Sequence, residues 1–201
     1  SAEHAPLGTG PLGEKCGRPT QCSRSPPWRS ISPPLLAMFK TIYVEETVAH
    51  HPRTQATLAR FSDAQRIPCK HYGEVFNRAA QNFRLQKRQP SLILAEKRGQ
   101  HVLPTPAGYG IGSQTNFYFS HMLNCLYDCR YCFLQGMYRS AHMVLFINYE
   151  DFYEAIDEQI EQNSTERPYF FSGYDCDSLA LEGITDFTRD FLTFFAERPH
   201  A

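Results

Sequence analysis

Apolar positions fall without period over the first 37 residues and become regular from Met38 onward. Ile42-Tyr43-Val44 reads as a short strand. His51-Pro52 then leads into a helix over Thr54–Phe61, with Leu58 and Phe61 on one face. Gln65–Tyr72 reads as a weak strand whose Pro68 assigns it to a sheet edge. Gly73–Gln89 carries Val75, Phe76, Ala79, Ala80 and Phe83 at a 3.6-residue period, which predicts a longer helix. Ser91–Ala95 is a continuous apolar run of the buried-strand type. A second series follows: an aromatic strand over Asn116–His121, a helical turn near Leu134–Ser140 and a strand at Met143–Ile147. Beyond these lie a helix over Asp151–Gln162, a strand at Tyr169–Phe171 and an amphipathic helix over Thr185–Glu197. Strands alternating with helices predict an α/β fold.

Composition separates the opening segment from the rest. Residues 1–37 hold seven of the fourteen prolines, four glycines and five serines, so they predict a disordered extension. Cys16 and Cys22 within it have no histidine nearby and read as incidental. Residues 38–112 form a small α/β unit, and residues 113–201 form a second unit. A net charge of −1 argues against a broad electrostatic grip on nucleic acid while leaving room for a local basic strip. No apolar run approaches the roughly 20 residues of a membrane span, and the start lacks a secretory core, so the cytoplasm is the expected location.

The seven cysteines are unevenly spread. Cys125, Cys129 and Cys132 stand in one eight-residue loop directly after the aromatic strand, whereas Cys69 and Cys176 are isolated. A C-x3-C-x2-C loop supplies three thiolates to a cubane 4Fe-4S cluster and leaves the fourth iron without a protein ligand. A substrate with an amino and a carboxylate group chelates such an iron, and S-adenosylmethionine is one. Structural zinc is the alternative, but zinc wants a fourth ligand, and His121, Asp128 and Cys176 lack the usual paired spacing.

A C-x3-C-x-aromatic-C loop after a strand resembles the signature of the radical S-adenosylmethionine superfamily. With Ala95-Glu-Lys-Arg-Gly99 and the extension Tyr131-Cys-Phe-Leu-Gln135, the chain from about Met38 onward resembles the spore photoproduct lyase family. The resemblance implies that residues 113–201 are the first part of a partial (β/α)6 barrel, incomplete at its C-terminus. It implies Cys125, Cys129 and Cys132 as cluster ligands, Tyr131 beside the cofactor, and Ser172-Gly173 against the methionine end of S-adenosylmethionine. It also implies a carbon–carbon lyase that uses a 5′-deoxyadenosyl radical to repair a thymine dimer lesion in DNA. Cys176 would return a hydrogen to the product, and a reductant such as flavodoxin or ferredoxin would supply the electron.

Phe133 departs from the family, which carries a hydrogen-relaying tyrosine directly after the third cysteine. A phenyl ring has no labile hydrogen, so a different nucleobase-type substrate is the second expectation. A zinc- or nucleic-acid-binding module without catalysis is the third. Arg84, Lys87, Arg88, Lys97 and Arg98 are candidate phosphate contacts, although solvated helix faces are commonly charged. His50-His51 reads as a helix entry rather than a metal site.

Overall fold

The computed structural model of the chain describes residues 37–112, 115–127 and 129–199. The extension expected over 1–37 therefore lies outside the described residues, but for its last position. Alternation of strands and helices gives a mixed α/β architecture with two sheets, as the periodicity predicts. β1 (Thr41–Glu45) runs parallel to β2 (Gln65–Cys69) on one side and to β3 (Leu92–Ala95) on the other. β7 (Met143–Phe146) continues the parallel set beyond β3, and β6 (Met122–Leu123) closes it antiparallel. The second sheet has the order β4-β5-β8, with β5 (Asn116–Phe119) between β4 (Leu103–Pro104) and β8 (Tyr169–Ser172). Strands on both sides of residue 112 thus share the first sheet.

The apolar run of β3 explains its place. Leu92, Ile93, Leu94 and Ala95 are all fully buried, because β3 has a strand at each edge and packed layers on both faces. Period-two alternation sends Leu92 and Leu94 into one core, with Ile42, Leu145, and Leu58 and Phe61 from the segment between β1 and β2. Ile93 and Ala95 enter the opposite core, with Val144, Phe146, Phe152 and Ile156. Each such side chain contributes about 1.5–3 kcal/mol on burial. β2 lies at the edge, where the missing N–H of Pro68 breaks no central ladder.

α1 (Pro52–Ala59) begins as its sequence predicts, with Pro52 at the first position and the His51 ring accepting a hydrogen bond from the Arg53 N–H at 3.1 Å. The helix expected over Gly73–Gln89 is the main correction. Only α2 (Phe83–Arg88) is helical there, after a 3-10 turn at Tyr72–Glu74. Asn77 and Ala80 take positive φ angles of 56° and 60°, which a right-handed helix cannot contain. Tertiary contacts hold this shape: Asn77 accepts from the Arg139 N–H at 2.8 Å, and the Phe76 ring packs on Tyr138 at 5.0 Å.

Downstream, α3 (Leu134–Met137) is a single turn and α4 (Tyr149–Gln162) buries Phe152 and Ile156. The expected last helix is divided at Asp186 (φ 50°) into α5 (Glu182–Thr185) and α6 (Phe187–Ala196). Arg60 of the α1 segment holds the Asp186 carboxylate at 2.6 Å. Among the described residues, no helix is long and apolar enough to cross a membrane.

An aromatic layer joins the β5–β8 sheet to its helices. Phe119 packs on Phe152, Phe187 and Phe191, and the fully buried His121 stacks on Phe187 with centroids 3.8 Å apart. Neither His121 ring nitrogen has a hydrogen-bond partner, and burial lowers its pKa to about 3. A histidine held neutral in the fold but free to protonate when unfolded favours the folded state only above its unfolded pKa of about 6.5. That contribution is lost as the pH falls from there toward about 3. His121→Phe should therefore flatten the pH dependence of stability across this window. Urea midpoints at neutral pH and at pH ~4 check it; an equally steep acid loss in the variant would remove His121 as a cause.

Candidate functional site

The register of β5 and β8 sets Phe119 beside Ser172, so the loops leaving both carboxyl ends emerge side by side. Three hydrogen bonds stitch them together. The Gly173 N–H donates to Phe119 O at 2.9 Å, the Asp175 N–H to Ser120 Oγ at 3.0 Å, and the Asn124 N–H to Asp175 O at 2.9 Å. Asn124 fixes the base of the cysteine loop. Its φ of 73° lies in the left-handed region that asparagine tolerates better than most residues. Its buried amide donates to Ser140 O at 2.7 Å and His142 O at 2.9 Å, while its Oδ1 accepts from the Cys125 N–H at 2.9 Å.

From that base the loop opens outward. Cys125 is half-buried against the core, Cys129 is exposed and Cys132 is half-buried; all three thiols are free. Cys125 Sγ accepts from the Tyr127 N–H at 3.5 Å, and the Cys132 N–H donates to Cys129 O at 3.1 Å in the turn entering α3. Gln135 ties the two ends of the loop, donating to Tyr127 O at 2.9 Å and accepting from Lys87 Nζ at 3.3 Å. Tyr131 is 96% exposed, and Phe133 is exposed with its ring 6.0 Å from Tyr174, which lies 4.5 Å from Tyr118.

Ser172 is exposed and its Oγ accepts from Ser178 at 2.8 Å. Gly173 has φ 85°, and a Cβ there would strike Ser178 Oγ and crowd Cys176 O, so the position requires glycine. Ser172 and Gly173 are thus brought to the base of the cysteine loop. Cys176 is 3% exposed and packs in the core with Met122 and Leu181; burial pushes its thiol well above the ordinary range.

Three free thiols in one eight-residue loop suit a thiolate-bound iron–sulfur cluster by donor type. Their geometry is less complete: among the described residues, no group of three or more His, Cys, Asp or Glu side chains is placed to hold a metal ion. Asp128, a candidate fourth zinc ligand, lies outside the described residues. The His121 ring, a second such candidate, is enclosed by Phe187 and Tyr149.

Two of the five candidate phosphate contacts have partners within the fold. Arg98 reaches the fully buried Glu45 at 2.6 Å, and the Lys97 ammonium lies 5.5 Å from the Phe146 and Phe152 rings, with burial lowering its pKa. Ser120, Asn124 and Asp175, which build the base of the loop, carry no motif that singles them out in the chain. For Asn124 a weaker signal existed, since asparagine directly before a functional loop is a common left-handed residue.

The architecture is a mixed α/β fold with a parallel main sheet. The solved structures it resembles are those of spore photoproduct lyase. A cysteine-to-serine mutant of that enzyme superposes with a TM-score of 0.66 at 15% identity, over 81% of this chain and 47% of the enzyme's. A mutant with bound AdoMet and dinucleoside spore photoproduct gives 0.67 at 15% identity over the same shares. The enzyme complexed with dinucleoside spore photoproduct gives 0.65 at 14% identity, again over 81% and 47%. The chain therefore spans about half the length of the structures it matches. No protein-family profile matches it, and no curated protein matches it in sequence.

Asn124 provides a test of the loop base. Asn124→Ala should lower stability by about 1–3 kcal/mol, through lost hydrogen bonds and the strained φ, while Asn124→Gly should lose less because glycine accepts that backbone. Urea denaturation measures both; equal losses would mean that the left-handed backbone costs nothing here. Thiol labelling at pH ~8 should modify Cys129 readily and spare Cys69, whose pKa burial and neighbouring carboxylates push up to about 11. Peptide mapping after iodoacetamide treatment reads the order of modification.

Proposed function

We propose that this chain carries the cluster-holding portion of a radical S-adenosylmethionine enzyme, a lyase resembling spore photoproduct lyase that repairs a thymine photoproduct in DNA. The observation that carries the reading is the loop of three free thiols leaving β6, in a fold that matches solved spore photoproduct lyase. Cys125, Cys129 and Cys132 hold the 4Fe-4S cluster in this reading, which when bound supplies the electron that cleaves S-adenosylmethionine to a 5′-deoxyadenosyl radical. Ser172 and Gly173 receive the methionine end of the cofactor, because their loop is stitched to the base of the cysteine loop. Tyr131, on the exposed crest of that loop, lies against the adenosine. A flavodoxin or ferredoxin is the electron source.

Cys176 is the proposed hydrogen donor. Two properties support it: the sulfur remains an S–H at physiological pH, and Cys176 packs in the same core cluster that Cys125 adjoins. Its 3% exposure means that the loop over residues 173–178 must open for a substrate radical to reach it. That burial and the absence of a phenol at Phe133 favour a second reading: the same radical chemistry on a different nucleobase-type substrate.

Anaerobic reconstitution with iron and sulfide should give a brown protein, absorbing near ~400 nm, that forms 5′-deoxyadenosine with a strong reductant. Stoichiometric zinc with no cluster would replace the radical reading with a zinc-binding module. Cys132→Ala should abolish the cluster, whereas Cys176→Ala should leave its absorbance intact and change only product quenching. An unchanged product distribution in Cys176→Ala would remove that residue as the donor.

A further inference from the structure

A cavity of about 240 Å³ opens beside Cys125, walled by α2 and by residues just before β1, β3 and β7. Lys40, Lys87 and Arg88 line it together with Asn124, Cys125 and Pro90, and no acidic side chain among the described residues does. Of the groups assigned to the cofactor only Cys125 lines it; Ser172, Gly173 and Tyr131 do not. Arg84 stands on α2 one turn before Arg88, exposed like it.

Lys40 and Arg88 face one concavity and repel each other, and the apolar lining from Met38, Phe83 and Met143 screens them less than water would. Lys87 is already engaged, its ammonium donating to Gln135, and is not counted with them. Lys40, Arg84 and Arg88 form no ion pair with an acidic side chain among the described residues. A helix dipole explains one or two cations at the carboxyl end of α2. It does not explain Lys40, which arrives from the segment before β1 and faces the same space. An anion with several acceptor oxygens relieves the repulsion, and a phosphate has the right size and valence for a small cationic cavity.

We propose that the cavity lined by Lys40, Lys87 and Arg88 binds a backbone phosphate of a nucleic acid strand, anchoring it next to the cysteine loop. The choice of nucleic acid rests on the proposed function; the preference for an anion rests on the cavity alone. With a net charge of −1, the chain binds DNA through this local site rather than through its overall field.

The test is fluorescence anisotropy of a short lesion-free single-stranded oligonucleotide with the 201-residue chain as isolated. Lys40→Ala combined with Arg88→Ala should weaken binding about ten-fold at low salt and reduce the slope of log K against log salt by ~1.4, two contacts at about 0.7 each. Lys40→Arg combined with Arg88→Lys should bind like the parent, since phosphate needs the charge, and Lys70→Ala, outside the cavity, should change nothing. Undiminished binding in the double alanine variant overturns the site, as does an equal loss in Lys70→Ala. Inorganic phosphate that binds without competing with the oligonucleotide overturns the nucleic-acid assignment. Intact oligonucleotide binding with slower cluster reduction by flavodoxin also overturns it, in favour of an acidic electron donor. No cluster or lesion enters the DNA measurement, so failure of the lyase reading shows separately, as absence of 5′-deoxyadenosine.

Discussion

The parallel pairing that sets Phe119 against Ser172 brings two loops to one end of the molecule, and three hydrogen bonds keep them in contact. Much of the chemistry considered for this chain depends on that juxtaposition. A register slip of one residue would turn Phe119 away from its aromatic layer and part the Gly173 N–H from Phe119 O. Asn124 adds the second half of the constraint. By accepting a left-handed backbone and donating to two carbonyls, it reverses the chain after β6 and presents Cys125 at the surface of the core.

Rigidity is unequally distributed around this point. β3 and β7 are fully enclosed, and the aromatic layer of Phe119, Tyr149, Phe152, Phe187 and Phe191 locks α4 and α6 to the second sheet. Among the described residues the cysteine loop is held at its base by Asn124 and across its ends by Gln135, while Cys129 and Tyr131 stand exposed on its crest. A rigid scaffold carrying a loop of free ligands is the usual arrangement where a metal group supplies the final geometry. Ser172 and Gly173 reach the base of the loop through the strand pairing, and the cavity lined by Lys40 and Arg88 adjoins it at Cys125.

Much of the fold was legible in the chain because periodicity and burial agree in it. The β3 run could only be a central strand, Pro68 could only lie at an edge, and α4 buries the residues its period selects. The helix expected over Gly73–Gln89 failed for a physical reason: its apolar period is real, but Phe76 is drawn into the core by Tyr72 and Tyr138. Asn77 and Ala80 bend the backbone to let it go there. Two-residue strands such as β4 and β6 leave no period to read, and they exist through their partners.

By itself the sequence determined the three thiols, their spacing and their place after an aromatic strand, because these are local properties of one continuous stretch. It also determined that Phe133 carries no labile hydrogen. Tertiary structure decided what the scattered residues do, because their roles depend on neighbours distant in the chain. It packed Lys97 against two rings, paired Arg98 with the buried Glu45, turned Cys176 into the core, and gathered Lys40 with Lys87 and Arg88 around one cavity beside Cys125.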